Sequence, residues 1–320
     1  CILVTPPVTE EEKQQLLQAA PGQKFFFTEK PELTEEQLRC VDIILGNLQS
    51  PLQLKKCENL KWIQLNNAGT EGYCEPGLLP EGAQLANATG AYGMAISEHM
   101  IGCLFALRKK LLLYWDNQKA HCWNSEGHVK VIERSNVLVI GCGDIGMTFG
   151  RKMNALGCRV SGIRRRVSKK SDCPEWMEGM YGMDSLEERL PKADIVAMSL
   201  PGNASTYHVL SRERIALLSD NAVVLNVGRG TAIDTDALAD ALYAGKIAGA
   251  ALDVTDPEPL PADHRLWNAP NLLITPHVSG GFSLPETLEK IVGLFADNLE
   301  RYFAGQPIEN LVNLQTGYRE

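Results

Sequence analysis

Gly141, Gly143 and Gly146 stand at GxGxxG spacing within NVLVIGCGDIGMTFGRKMNALG. That spacing suits the binding of a pyrophosphate. The first glycine permits a tight turn, the second lets the backbone approach the phosphates, and the third lets helix and strand pack closely. Asp144 and Ile145 then open a helix whose free N–H groups and positive dipole end favour an anion. The pattern is weak alone. Here an apolar strand precedes it, a helix running to Gly157 follows, and a second strand, RVSGI, comes next. The segment therefore reads as a dinucleotide-binding βαβ unit. The residue closing the second strand reads the adenosine ribose, and an NAD site places Asp or Glu there. This chain has Arg164 at that point, 18 residues beyond Gly146, followed by Arg165 and Arg166. A guanidinium binds a 2′-phosphate in bidentate fashion, where a carboxylate would repel it. NADP(H) is thus the expected cofactor, with NAD(H) possible. Arg164 is the first candidate and Arg165 the second, while Arg166, Lys169 and Lys170 read as a solvated basic run.

Three further segments end apolar runs at points where open parallel sheets place their ligands. LNVGRG presents Arg229 between Gly228 and Gly230; ALDVTDPEPLP presents Asp253, Asp256 and Glu258; LLITPHVSGG presents His277 after Pro276. Taken singly, each has a plain structural reading. A His after Thr-Pro is usually a loop residue, an Arg between glycines often makes a structural ion pair, and Glu-Pro is often only a turn.

The elements that must hold these residues alternate along the chain. CILVT, KFFFT, VDIILG and KWIQLNN read as strands, separated by helical patterns that open at TEEEKQQLLQAA and TEEQLRC. A long helix is expected from Ser97, a good N-cap, with Met100, Ile101, Leu104, Phe105, Leu111 and Leu112 among its apolar positions. A second series follows: NVLVIG, RVSGI, DIVAMSL, NAVVLNVG, GAALDV and NLLITP. Ser-Leu-Pro-Glu at 283–286 reads as a capping box opening a last helix to about Ala304, with Gly305 as its stop. The alternation predicts an α/β fold with parallel sheets.

The order GxGxxG, GRG, DVxxxEP, TPH resembles the D-isomer-specific 2-hydroxyacid dehydrogenase family, in its glyoxylate/hydroxypyruvate reductase-like, NADP-type form. The resemblance covers essentially the whole chain, including ATGAYGMAISEHMIGCLFAL and the closing IENLVN. It implies two Rossmann-like domains with an interdomain cleft. One is a flavodoxin-like, discontinuous substrate domain over 1–97 and 287–320; the other is a doubly wound dinucleotide-binding domain over 98–286. His277 resembles the family's general acid/base, a task that suits an imidazole whose ordinary pKa lies near 6.5. Glu258 resembles its acidic partner, since a nearby carboxylate favours and orients the imidazolium. Arg229 resembles the arginine that grips the substrate carboxylate and polarises the carbonyl. Asp253 matches an acidic position near the nicotinamide; Asp256 reads as solvated. Asn67, Ala68 and Gly69 match the loop whose backbone N–H groups meet the substrate carboxylate. Tyr92 and Met94 either line the cleft or pack, and His99 on its apolar helix reads as structural. Departures are few. Arg164 replaces the acidic ribose reader, Ser279 and Gly280 replace a small apolar pair, and Phe282 stands where Thr is frequent.

Composition narrows the alternatives. The chain has 320 residues, 44% hydrophobic, with a net charge of −8, which disfavours nonspecific nucleic-acid binding. No apolar run reaches the roughly 18–20 residues of a membrane span, and no secretory signal is expected. The nine cysteines are scattered without a CxxC pair, so neither a disulfide framework nor a zinc site is expected, and a reducing cytoplasm is. Cys142 in the glycine turn reads as a small tolerated side chain before it reads as a reactive thiol. With no further domain after residue 320, an allosteric serine-pathway enzyme is not expected. The expected function is hydride transfer from NADPH to a small 2-oxo acid such as glyoxylate or hydroxypyruvate, giving a D-2-hydroxy acid, in a homodimer. The alternatives are a dinucleotide-sensing, corepressor-like interaction protein, or NAD-dependent 3-phosphoglycerate, formate or phosphite oxidation.

Overall fold

A computed structural model describes residues 1–28, 33–165, 173–281 and 284–319. Arg166, Lys169, Lys170, Phe282 and Ser283 lie outside the described residues. The chain divides into two compact units, Cys1–Tyr92 with Phe282–Glu320, and Gly93–Gly281.

The first unit runs β1 (Ile2–Val4), α1 (Glu10–Ala19), β2 (Phe25–Phe27), α2 (Glu35–Arg39), β3 (Ile43–Leu45), β4 (Trp62–Gln64) and β5 (Gln84–Ala86). Its sheet is all parallel in the order β2-β1-β3-β4-β5, the flavodoxin-like arrangement. Both helix starts are local and legible. Thr9 accepts from the Glu12 amide and Glu12 from the Thr9 amide, and Thr34 and Gln37 repeat this reciprocal cap. β1, β3 and β4 are buried on both faces, as parallel strands require.

The second unit runs α3 (Gly93–Arg108), α4 (Leu111–Lys119), β6 (Asn136–Ile140), α5 (Asp144–Ala155), β7 (Arg159–Ile163), β8 (Gly179–Tyr181), α6 (Leu186–Arg189), β9 (Ile195–Met198), α7 (Arg212–Leu217), β10 (Val223–Asn226), α8 (Thr235–Tyr243), β11 (Gly249–Leu252) and β12 (Leu272–Ile274). Its seven strands are parallel in the order β12-β11-β10-β9-β6-β7-β8. This is the doubly wound order, reversing between β6 and β9, where such sheets bind dinucleotides. Every residue of β9 and β10 is buried, which explains their unbroken apolar runs.

The chain then returns to the first unit as α9 (Pro285–Phe303), which packs on α1. Its Asn298 donates to Gln64 Oε1 at 2.7 Å, and Gln64 donates to the Asn87 carbonyl at 3.0 Å. A short antiparallel ladder of β13 (Val312–Asn313) and β14 (Tyr318–Arg319) ends the described chain.

Three expectations about elements are corrected. The long helix starts at Gly93, not Ser97, because Asp144 on α5 accepts the Gly93 amide at 2.8 Å and supplies the cap from a distant point in the chain. Ser97 lies inside α3, with its hydroxyl bonded back to the Met94 carbonyl. The helix also stops at Arg108: Lys110 takes a left-handed conformation, φ 56°, so Leu111 and Leu112 belong to α4. The last helix starts at Pro285, which occupies its first turn and holds Leu284 extended as an N-cap with no side-chain hydrogen bond, while Ser283 of the expected capping box lies outside the described residues. The strands β5 and β8 were not expected; three residues are too few to show a period.

Candidate active site

The glycine turn leaves β6 at the reversal point. Gly141 has φ 99°, and a Cβ there would lie 2.8 Å from the Ser199 carbonyl. Ser199 Oγ donates to the Gly141 carbonyl at 2.8 Å, bracing the turn against the end of β9. A Cβ on Gly146 would lie 2.1 Å from that same Gly141 carbonyl, so α5 sits on the turn only because residue 146 has no side chain. At Gly143 the reverse holds, since an added Cβ would meet nothing within 4 Å. Among the described residues, the amides of Gly143, Asp144 and Ile145 have no acceptor. Open space facing free N–H groups at a helix N-terminus fits a pyrophosphate. The Asp144 carboxylate is occupied by the Gly93 amide.

Cys142 lies under this turn, its Sγ 3.5 Å from the Ile163 carbonyl. Burial pushes its thiol up to about 12, against the pull of the Arg164 guanidinium. It is an unreactive packing thiol in consequence. Iodoacetamide at mildly alkaline pH should label the exposed Cys40 and Cys122 and spare Cys142. Peptide mass mapping checks this, and early labelling of Cys142 would contradict it.

Arg164 follows β7 directly, its amide bonded to the Tyr181 carbonyl at 3.0 Å. Among the described residues no acid pairs with Arg164 or with the exposed Arg165. Among the described residues, two cations without an acidic partner therefore stand at the end of β7.

The other candidates leave the neighbouring strands β10, β11 and β12. After β10, the buried Asn226 accepts the Gly228 amide at 3.1 Å and donates to the Arg229 carbonyl at 3.0 Å. This side chain shapes the turn that carries Arg229, whose Nη1 donates to the Gly228 carbonyl at 2.8 Å. Gly230 is pressed onto the chain beyond β11; a Cβ there would lie 2.0 Å from the Thr255 carbonyl. After β12, His277 adopts a left-handed φ of 52°, a costly conformation for a residue with a side chain. Its amide donates to the Asp253 carbonyl at 2.8 Å. Its Nδ1 is 2.6 Å from Glu258 Oε1. With the carboxylate as acceptor, Nδ1 carries the proton in that bond and Nε2 is left for another partner. Both side chains are about half exposed, at 47% and 40%.

Asp253 is buried, and both its oxygens are used inside the unit. Oδ1 accepts from the Thr275 hydroxyl at 2.6 Å and the Val278 amide at 3.0 Å; Oδ2 accepts from the Ser279 amide at 3.0 Å and the Ser279 hydroxyl. Burial opposes its charge, but the bonds from Ser279, Thr275 and Val278 outweigh it and hold the carboxyl below its ordinary range. The geometry gives Asp253 a loop-holding part.

In the first unit, Asn67, Ala68 and Gly69 follow β4 in a loop clamped through its side chains and carbonyls. Asn47 and Asn66 exchange bonds between amide and side chain at 2.7 and 3.1 Å. Asn87 Nδ2 donates to the Ala68 carbonyl at 2.7 Å, and Tyr92 Oη to the Asn66 carbonyl at 2.5 Å. Among the described residues the amides of Asn67, Ala68 and Gly69 have no acceptor. Tyr92 is thus a packing residue that holds this loop. Asn47 and Asn87 escape sequence reasoning, because an isolated polar residue has no pattern until its partner is known, and the motifs that contain Asn226, Thr275 and Ser279 do not show that these side chains hold the loops.

A doubly wound sheet with an open, amide-lined glycine turn, and an imidazole–carboxylate pair in the loops that leave two of its strands, fits an NAD(P)-dependent oxidoreductase. The chain belongs to the D-isomer specific 2-hydroxyacid dehydrogenase family, whose NAD binding domain model matches residues 101–279. An uncharacterized protein from the proB 3′ region of Corynebacterium melassecola is 32% identical over 289 residues, 88% of this chain and 92% of that one. The crystal structure of a D-isomer specific 2-hydroxyacid dehydrogenase family protein from Aeromonas salmonicida is 29% identical, with TM-score 0.85 over 98% of both chains. An NADPH-dependent glyoxylate/hydroxypyruvate reductase from Sinorhizobium meliloti, solved with NADP and sulfate, is 25% identical, with TM-score 0.81 over 99% of both. Membership makes the protein an NAD(P)-dependent oxidoreductase of the 2-hydroxyacid dehydrogenase type. No helix among the described residues is long and apolar enough to cross a membrane.

Proposed function

We propose that the protein reduces a small 2-oxo acid, of the size of glyoxylate or hydroxypyruvate, to the D-2-hydroxy acid with NADPH. The observation that carries this reading is the 2.6 Å bond between His277 Nδ1 and Glu258, which joins the loops after β12 and β11, β11 being the neighbour of the strand β10 that leads to Arg229. A bound nicotinamide supplies the hydride to the carbonyl carbon. His277 Nε2 gives its proton to the carbonyl oxygen as the hydroxyl forms, and Glu258 holds the ring in place and stabilises its charged form. Arg229 grips the substrate carboxylate and draws on the carbonyl oxygen. In the first unit, the free amides of Asn67, Ala68 and Gly69 are the donors we assign to the carboxylate. Arg164, with Arg165 beside it, takes the 2′-phosphate. These two cations, without an acidic partner among the described residues, support this, as does the NADPH dependence of the Sinorhizobium meliloti enzyme.

The chain also fits a cytoplasmic homodimer. Its nine cysteines are unpaired thiols, which suits a reducing compartment. Leu111, Leu113 and Trp115 on α4, Trp123, Val129 and Val131 are exposed apolar side chains of the kind that a second copy covers. A panel of 2-oxo acids assayed with NADPH and NADH in parallel tests the function. Turnover of a short-chain 2-oxo acid, faster with NADPH at low cofactor concentration, is the expected result. Oxidation of neither cofactor by any member of the panel overturns the reading.

A further inference from the structure

The His277 loop is held from behind by a chain of polar groups that begins on α3. Thr275 Oγ1 is 2.6 Å from Asp253 Oδ1 and 3.1 Å from His99 Nε2. The Asp253 carboxylate already accepts from Ser279 and two backbone amides and is held in its ionised form. An ionised carboxylate has no proton to give, so the Thr275 hydroxyl donates to it. The lone pair of Thr275 Oγ1 must then accept from His99, which fixes the proton of that ring on Nε2. Cys103 Sγ, one turn along α3 at 3.5 Å from the same nitrogen, is the other group facing the ring; burial raises its thiol to about 11, so it stays neutral. A cavity of about 10 Å³, the space of a single water, adjoins the ring and is lined by His99, Met100, Cys103, Val227, Asp253 and Thr275.

We propose that His99 is a positioning residue for the His277 loop. Its Nε2–H sets the direction of the Thr275 hydroxyl, and Thr275 and Asp253 then fix the backbone of residues 277–279. The geometry explains why an imidazole stands on the apolar face of α3 pointing at β12. It also explains how His277 is kept at φ 52°. Its own amide is tied to the Asp253 carbonyl, and the next two amides are tied to the Asp253 carboxylate. Thr275 and the buried Ser279 complete the shell. Loss of the His99 donor frees the Thr275 hydroxyl to turn, removes one of the four bonds that hold the carboxylate, and lets the loop reach other conformations.

The catalytic consequence rests on the proposed role of His277, so the test has two readouts. His99→Leu fills the ring's volume without a donor, and His99→Gln keeps an N–H at a similar reach. Thr275→Val removes the middle of the chain. Amide hydrogen exchange of Val278 and Ser279, measured on the folded full-length protein, should speed up in His99→Leu and in Thr275→Val and stay near wild type in His99→Gln. In the same proteins kcat should fall roughly tenfold in His99→Leu with KM for NADPH unchanged, and recover in His99→Gln, as expected when a supporting residue lets a reacting group drift. Unchanged exchange in His99→Leu overturns the inference whatever the activity. Equal damage from Leu and Gln also overturns it, since that would reveal only a packing role. Faster exchange with an undiminished kcat leaves the positioning in place and counts against His277 as the reacting group.

Discussion

His277→Ala should lower kcat for reduction of the 2-oxo acid by about 10²- to 10⁴-fold, the range that a lost general acid commands. The affinity for NADPH should not change. The glycine turn and Arg164 belong to β6 and β7, whereas His277 follows β12 at the far side of the sheet order. Removing the ring also leaves Asp253 with all four of its hydrogen bonds, because the groups that hold the loop are the amides and hydroxyls of 275–279 and not the imidazole. Cofactor titration by protein fluorescence together with steady-state kinetics separates the two quantities. Retained turnover would remove His277 from the chemistry. Lost cofactor binding would mean that the loop does more structural work than its contacts show.

Arg164→Asp should raise KM for NADPH by roughly tenfold to hundredfold, the scale of a lost charge-assisted hydrogen bond made worse by a repelling carboxylate. KM for NADH should change little or improve, because a carboxylate at this point accepts from a 2′-hydroxyl. No acid among the described residues pairs with Arg164, so the substitution breaks no ion pair and should leave the melting temperature near that of the parent. Equal effects on the two cofactors would return the basic run at 164–166 to the role of a solvated surface.

The parallel α/β class was legible because buried strands write themselves as apolar runs: NVLVI, IVAM and VVLN each became a strand at the expected place. The glycine turn was legible because each glycine answers a different steric demand at a fixed spacing. Arg229, Glu258 and His277 were legible as positions at strand ends, and the structure adds that His277 and Glu258 share a hydrogen bond. What escaped depends on partners far apart in the chain. Gly93 begins a helix because Asp144, 51 residues away, accepts its amide. The turn of Arg229 is drawn by Asn226, whose motif does not show that bond, and the loop at Asn67 by Asn47 and Asn87, which stand in no motif. The motif around Asp253 does not show that its carboxylate accepts four hydrogen bonds from Thr275, Val278 and Ser279, because those bonds close a loop whose shape no spacing encodes.

The most direct test of the central claim follows the hydride itself. Hydroxypyruvate is reduced with NADPH carrying deuterium at both positions of nicotinamide C4, and the glycerate formed is resolved by chiral chromatography and mass spectrometry. The account predicts one deuterium at C2 of the D-enantiomer. Label at C2 of the L-enantiomer, or D-glycerate without label, would contradict it.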